Sequence, residues 1–100
     1  MPKNTLQIDC KNLEKALQDK GFNYLHVMVR SNHLIVYSQY EDEKENRARL
    51  SHIARGQYQL SMADHTGKWE PTPYTGDLDE MISLLTGEFG FALIDFNDFG

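Results

Sequence analysis

The sequence predicts an α+β fold: an antiparallel four- to five-stranded meander sheet with an N-terminal and a C-terminal helix packed on one face. Three observations predict this fold. Apolar residues recur at helical spacing near both ends of the chain, over residues 9–20 and 77–86. The segment between them alternates apolar and polar residues with a period of two, as strands do. Turn-forming residues divide that segment into hairpins.

The composition indicates a small soluble globular protein. The chain has 100 residues, of which 40% are hydrophobic and 25% charged, and this suits one domain over residues 1–100. The single cysteine, Cys10, excludes an internal disulfide, so we expect a reducing, cytoplasmic location. No apolar run approaches the roughly 20 residues that cross a bilayer, so no membrane association is expected. The thin core of so short a chain favours a homodimer.

The first element is a helix predicted over residues 9–20. Asp9 can accept hydrogen bonds from the free amides of its first turn. Gly21 is expected to end the helix because glycine tolerates a positive φ. The helix carries one apolar stripe, made of Cys10, Leu13, Ala16 and Leu17.

The segment FNYLHVMVRSNHLIVYSQY then predicts a β-hairpin whose turn is Ser31-Asn32. This register pairs Arg30 with His33, Met28 with Ile35, and His26 with Tyr37. One face is aliphatic and is assigned to the core: Leu25, Val27, Val29, Leu34 and Val36. The other face mixes aromatic, thioether and cationic groups and is the leading candidate site: Tyr24, His26, Met28, Arg30, Ile35 and Tyr37.

A charged loop, EDEKE at residues 41–45, is expected before a second hairpin, RARLSHIARGQYQLSMA, in which two registers compete. A two-residue Arg55-Gly56 loop places Leu60 on one face with Arg49, Ser51 and Ile53. A three-residue loop that begins at Ala54, with Gly56 in the left-handed region, aligns Ala48, Leu50 and His52 with Tyr58, Leu60 and Met62. We choose the second register because it separates polar from apolar side chains better.

A short edge strand is predicted next, after a turn at residues 64–67. It covers residues 68–71 and ends at Pro71, which has no amide to donate. In this interpretation Trp69 lies near Met62 on the core face.

The second helix is expected to begin at Asp77, with Glu80 completing a capping box, and to end at Gly87. Its apolar stripe is formed by Leu78, Met81, Ile82 and Leu85. The C-terminal tail is too rich in apolar residues for a free end, and we expect it to dock on its own domain or on a partner. Its apolar residues include Phe89, Phe91, Leu93 and Phe96.

Catalytic and metal chemistry find little support in the sequence. The four histidines show no ligand spacing such as HxxxH or HExxH, and no CxxC is present. Cys10 lies on an apolar stripe, which is typical of a buried, unreactive thiol. The carboxylates at 77–80 suit a helix N-terminus. No catalytic residue, metal ligand or cofactor is therefore predicted.

The two-faced hairpin favours a non-catalytic protein-interaction or regulatory module, and the partner is a second copy or another protein. Trp69 and Tyr74 in the following segment would add aromatic anchors. A competing interpretation is that the chain's own tail packs on this face. One alternative function is a small enzyme or ligand binder with a cleft near His52, His65 and Trp69, close to Asp64. Another is single-stranded nucleic-acid binding, which the net charge of −5 disfavours.

Overall fold

The structure is a computed structural model that describes residues 2–64 and 66–90, with the backbone alone for residues 2–4 and 40. The elements are α1 (Pro2–Asp19), β1 (Leu25–Arg30), β2 (His33–Tyr40), β3 (Glu43–Ala54), β4 (Gln57–Ala63), β5 (Trp69–Gly76) and α2 (Leu78–Thr86). The strands form one antiparallel sheet in the order β1-β2-β3-β4-β5, which confirms the predicted meander with five strands. The predicted docking of the tail beyond Gly90 lies outside the described residues.

Both helices pack on one face of the sheet, and the core lies between the two layers. The predicted aliphatic face of the first hairpin is buried there, with Val29 only partly buried at its margin. The buried core residues are Leu6, Cys10, Leu13, Leu17, Leu25, Val27, Leu34, Val36, Ala48, Leu50, Tyr58, Leu60, Met81 and Leu85. Within the described residues, neither helix combines the length and apolarity that a bilayer crossing requires.

Helix α1 begins at Pro2, seven residues before the predicted start, so the expected cap at Asp9 is wrong. Leu6 is 4% exposed and continues the buried stripe one turn ahead of Cys10, which extends the helix toward its N-terminus. Asp9 instead lies within the helix, where its carboxylate accepts a hydrogen bond from the Tyr58 hydroxyl at 2.6 Å. Gly21 follows the helix with φ +101°, as expected.

The first hairpin has the predicted register, with Arg30 opposite His33 and His26 opposite Tyr37. The predicted loop over residues 41–45 is wrong, because β3 begins at Glu43 and only Glu41 and Asp42 form the turn. Strand β2 extends two residues past its last pair with β1, Leu25 with Ser38. Residues 43–45 of β3 pair with residues 38–40, so the backbone groups of this extension are hydrogen-bonded to β3.

The second hairpin has the side-chain pairing that we chose: Ala48 with Met62, Leu50 with Leu60, and His52 with Tyr58. The predicted three-residue loop is wrong, because the loop consists of Arg55 and Gly56 alone. The chosen pairing forms nevertheless, because a bulge between His52 and Ala54 shifts the register by one residue. Gly56 has φ +69°, in the predicted left-handed region.

Strand β5 continues through both of its prolines to Gly76, so the predicted end at Pro71 is wrong. An edge strand tolerates proline because one row of its amides has no strand to bond. The register with β4 shifts between Gln59 and Ser61, and the Thr72 hydroxyl donates a hydrogen bond to the Leu60 carbonyl at 2.8 Å. This side chain therefore joins the two strands where the ladder is interrupted.

Trp69 is not on the core face as predicted. It pairs with Ala63, whereas Met62 pairs with Glu70, so Trp69 and Met62 point to opposite sides of the sheet. The predicted strand includes Trp69, as observed, but its predicted pairing with β4 differs by one residue from the observed pairing, and this difference places Trp69 on the opposite face.

The start and end of helix α2 are as predicted. The Asp77 carboxylate accepts a hydrogen bond from the Glu80 amide at 2.9 Å, and the Glu80 carboxylate accepts one from the Asp77 amide at 3.3 Å. The Gly87 amide closes the helix on the Ser83 carbonyl at 2.9 Å. The capping box therefore forms entirely from local sequence.

Candidate functional site: the open face of the sheet

The sheet has a second face, directed away from α1 and α2, that no other described element covers; we call it the open face. Cross-strand partners share a face, so the register gives its rows directly. One row contains Arg30, His33, Ser51, Gln59 and Thr75. The next contains Met28, Ile35, Arg49, Ser61 and Pro71. Beyond these lie His26, Tyr37, Gln39, Lys44, Ala63 and Trp69.

A first cluster on the open face centres on Lys44. Its ammonium lies 4.5 Å from the centre of the Tyr37 ring and 3.2 Å from the Met28 sulfur. The His26 ring lies beside Tyr37, with the ring centres 5.6 Å apart. Three of the predicted site residues, His26, Met28 and Tyr37, therefore lie in one cluster, and two of them contact a lysine that was predicted to lie in a loop.

A second cluster pairs Arg49 with Trp69. The guanidinium carbon of Arg49 lies 5.0 Å from the centre of the indole ring, in the geometry of a cation–π interaction. The Nε atom of Arg49 is buried and has no hydrogen-bond acceptor among the described residues. Trp69 thereby joins the face of the first hairpin, from which the sequence analysis had separated it.

The other predicted site residues lie in different environments. Ile35 is on the open face but only 4% exposed, since its cross-strand neighbours Met28 and Arg49 lie on either side of it. Tyr24 precedes β1 and packs partly against the core and edge-on against Phe22. Arg30 is exposed at the end of the face.

Tyr74 is not part of the open-face clusters. Its ring packs edge-on against Phe89, with the ring centres 5.7 Å apart, and it borders the groove between β5 and α2. The two aromatic anchors predicted for this segment therefore separate, and only Trp69 reaches the open face.

His33 has an unusual electrostatic environment on the open face. Its Nδ1 atom and the Ser51 hydroxyl are hydrogen-bonded at 2.9 Å. Burial, followed by the nearby Arg49 charge, lowers the pKa of His33 from its usual 6.5. At neutral pH His33 is therefore mainly an uncharged polar group.

Two residues of the open-face clusters were not predicted as site residues: Lys44, and Arg49, which was not connected with the first hairpin. Lys44 was missed because the charged run at 41–45 was interpreted as a loop. Period-two alternation starting at Glu43 could have placed it in a strand, but a bulge between Val36 and Tyr37 interrupts the pairing with β3. The chosen register of the second hairpin already put Arg49 opposite the apolar face.

The cleft expected for an enzyme or ligand binder does not form among the described residues. His52 contacts the Tyr58 ring on the helix side of the sheet, whereas Trp69 lies on the open face. The Asp64 carboxylate closes its own turn, accepting hydrogen bonds from the Thr66 amide at 2.8 Å and the Lys68 amide at 2.9 Å. His65, the remaining member of that prediction, lies outside the described residues.

Metal and thiol chemistry also lack a site in this part of the chain. No group of three or more His, Cys, Asp or Glu side chains that could hold a metal ion occurs among the described residues. Cys10 is buried, and its thiol donates a hydrogen bond to the Val27 carbonyl at 3.3 Å. Burial, followed by the Glu14 charge, raises the pKa of the Cys10 thiol, which keeps it in the less reactive protonated form.

Side chains of α1 occupy the outer edge of β1. Glu14 accepts a hydrogen bond from the Val27 amide at 2.9 Å, and Gln18 donates one to the Leu25 carbonyl at 3.4 Å. Together with Cys10, these residues recur every four positions, so one side of the helix satisfies backbone groups that a further strand would otherwise bond. At the other edge, the prolines of β5 oppose strand addition.

The open face can therefore offer cations, aromatic surface and neutral hydrogen-bonding groups, while the sheet edges are protected. Comparison with protein-family models, with curated proteins and with solved structures finds no match for the chain. The case for a function therefore depends on the chemistry of this face.

Proposed function

We propose that the chain is a non-catalytic protein-interaction module with a regulatory role, and that it binds a partner protein on the open face. The observation that carries this proposal is the pairing of Lys44 with Tyr37 and of Arg49 with Trp69 on a face that no described element covers. Aromatic residues, Met and Arg are enriched in protein interfaces, and rigid aromatic groups often supply the strongest contacts.

Two further observations support binding by the face. The edges of the sheet are protected, by α1 side chains at β1 and by prolines in β5, which disfavours binding by strand addition. Among the described residues expected near a catalytic cleft, His52 lies on the helix side of the sheet and Trp69 on the open face, so these two side chains diverge. The buried, protonated thiol of Cys10 agrees with the proposed cytoplasmic location.

The predicted homodimer remains part of the proposal, but a symmetric face-to-face dimer is unfavourable. A two-fold axis through the open face would bring the cationic side chains of that face, Arg30, Lys44 and Arg49, toward those of the second copy. Like charges brought together at an interface are destabilising. A homodimer would therefore use another surface and leave the open face for a different protein.

Affinity capture from native cells tests the proposal with a pair of matched variants. Lys44→Ala combined with Trp69→Ala removes one cation and one aromatic ring from the open face. Arg55→Ala combined with Tyr74→Ala removes the same two types of group from exposed positions elsewhere. We expect a partner that binds the wild-type protein and the control but is lost with the open-face variant, because only that variant removes binding groups.

Circular dichroism establishes that both double variants are folded. The proposal is wrong if the folded open-face variant captures the same proteins as the control, or if wild type captures no protein at all.

A further inference from the structure

Charge is distributed unevenly over this acidic chain. The protein has a formal net charge of −5, yet the described strand residues that point to the open face include Arg30, Lys44 and Arg49 and no carboxylate. One carboxylate of α1, that of Glu14, reaches the edge of this face, 3.9 Å from the His26 Nδ1 atom. The described acidic residues lie on the helices, in the turns, or at strand positions that point to the helix side, such as Glu45 opposite Ser38 and Glu70 opposite Met62. The open face is therefore a local cationic surface on a protein of opposite overall charge.

The three cations of this face form no direct ion pair with the described part of the chain, although Lys44 borders a surface groove together with Glu43, Glu45 and Asp64. No described carboxylate lies within 4.0 Å of Arg30, Lys44 or Arg49; the ion pairs of the described residues involve His26 with Glu14 and Arg47 with Glu45. Ring contacts hold Lys44 and Arg49 in place instead. A cation held by an aromatic ring keeps its exposed N–H donors available for an incoming anion.

Carboxylates fit this arrangement better than the bases and phosphates of a nucleic acid. Single-stranded nucleic acids bind by stacking bases on free aromatic faces along a continuous basic groove. Here Tyr37 and Trp69 each have a cation of the same chain over the ring, which occupies one stacking surface. The net charge of −5 also repels a polyphosphate backbone electrostatically, even before the two molecules are in contact. An arginine fork binds a single carboxylate through two hydrogen bonds without such a groove.

We infer that the partner bound on the open face is an acidic protein segment whose carboxylates contact Arg30, Lys44 and Arg49. This inference rests on the proposed function and specifies the chemistry of its partner. The aliphatic stems of these side chains, with Met28 and the two aromatic rings, supply apolar surface between the charges. Binding is consequently strongest at low ionic strength, because exposed charges are screened by salt.

Fluorescence anisotropy with a labelled deca-glutamate peptide tests this inference on the full chain at low salt. We expect Arg30→Gln, Lys44→Gln and Arg49→Gln each to weaken binding about fivefold, since each removes one charge-assisted contact. Arg55→Gln makes the same change of net charge in the β3–β4 turn and should leave the affinity unchanged. Arg30 is exposed, so its variant remains informative even if the Arg49 variant fails to fold.

The same assay distinguishes other occupants. Decauridylate that binds more tightly than deca-glutamate overturns the inference in favour of nucleic acid. Asp95→Asn combined with Asp98→Asn removes the two aspartates of the tail. Tighter peptide binding by this variant overturns the inference in favour of the chain's own tail. The inference is also overturned if Arg55→Gln loses as much affinity for deca-glutamate as the open-face variants, or if the wild-type protein does not bind the peptide.

The two proposals fail in different ways. If the wild-type protein does not bind deca-glutamate but Lys44→Ala combined with Trp69→Ala still loses the captured partner, the partner is not acidic. The proposal of an interaction module then remains supported. If that variant loses no partner, the interaction module itself is wrong.

Discussion

At the scale of single residues, the polar groups of the core are held by specific partners. Tyr58 is 1% exposed, and its hydroxyl donates a hydrogen bond of 2.6 Å to Asp9, joining β4 to α1. Burial, followed by the hydrogen bond to Asp9, raises the pKa of Tyr58 well above its usual range, so the hydroxyl remains a donor. The hydrogen bond compensates for burying a polar group between the two layers.

His33 should make stability depend on pH. Because its pKa is lowered in the folded protein from 6.5, the native state binds fewer protons than the unfolded chain between the folded pKa and 6.5. Stability is therefore full above 6.5 and falls as the pH decreases through that window. We expect the free energy of unfolding in urea to decrease from pH 7.5 to 5.5, and to decrease less in His33→Gln.

The control for this measurement is His52→Gln, which removes an imidazole from the other face of the sheet. An equal pH dependence in wild type and His33→Gln would show that His33 contributes nothing to it.

At the scale of elements, helix α1 both covers the core and protects an edge. Its apolar side chains enter the core, while Cys10, Glu14 and Gln18 bond the backbone of β1. This division explains why polar residues occur so close to the buried stripe of the helix. A helix that occupies the strand edge also opposes pairing with another chain at that position.

Glu14→Ala should destabilise the protein by about 1 kcal/mol, because the Val27 amide loses its acceptor. Glu14→Gln retains a side-chain oxygen and should cost less. Lys15→Ala is the matched control, since it makes a similar truncation on the same helix at an exposed position. Urea unfolding measures all three, and equal stability of Glu14→Ala and Lys15→Ala would contradict the proposed edge contact.

At the scale of the whole molecule, the sheet separates two chemical environments. The helix side contains the apolar core and is bordered by acidic groups, and the open face contains cations that form no ion pair with a described carboxylate, together with their aromatic neighbours. The two faces therefore make different contacts. One face packs against the protein's own helices, and the other is the proposed binding surface for an acidic protein segment.

Light scattering tests the proposed homodimer. The chain has a mass of 11.6 kDa, so a dimer has twice that mass, and we expect the dimer to persist in Lys44→Ala combined with Trp69→Ala. Persistence is expected because a dimer that avoids like-charge contact does not use the open face. A mass of 11.6 kDa over the whole concentration range would exclude the homodimer, and dimer loss in the variant alone would place its interface on the open face.

Local sequence was sufficient to determine the elements that short-range interactions control. The register of the first hairpin follows from its two-residue turn, which fixes Arg30 opposite His33. The capping box of Asp77 and Glu80 joins residues three positions apart. The alternation of apolar and polar residues likewise identified the buried face of the first hairpin, because period two is a property of every strand.

Only the tertiary structure decided the composition of the open face and the role of Asp9. Bulges at Val36/Tyr37 and within the β4–β5 pair change the register, and a shift of one residue moves a side chain such as Trp69 to the opposite face. The partner of Asp9 lies 49 positions away in the sequence, so no local pattern could identify it. Sequence by itself determined the type and order of the helices and strands, because these follow from local periodicity. Contacts between distant segments determined where several of these elements begin and end and which side chains meet.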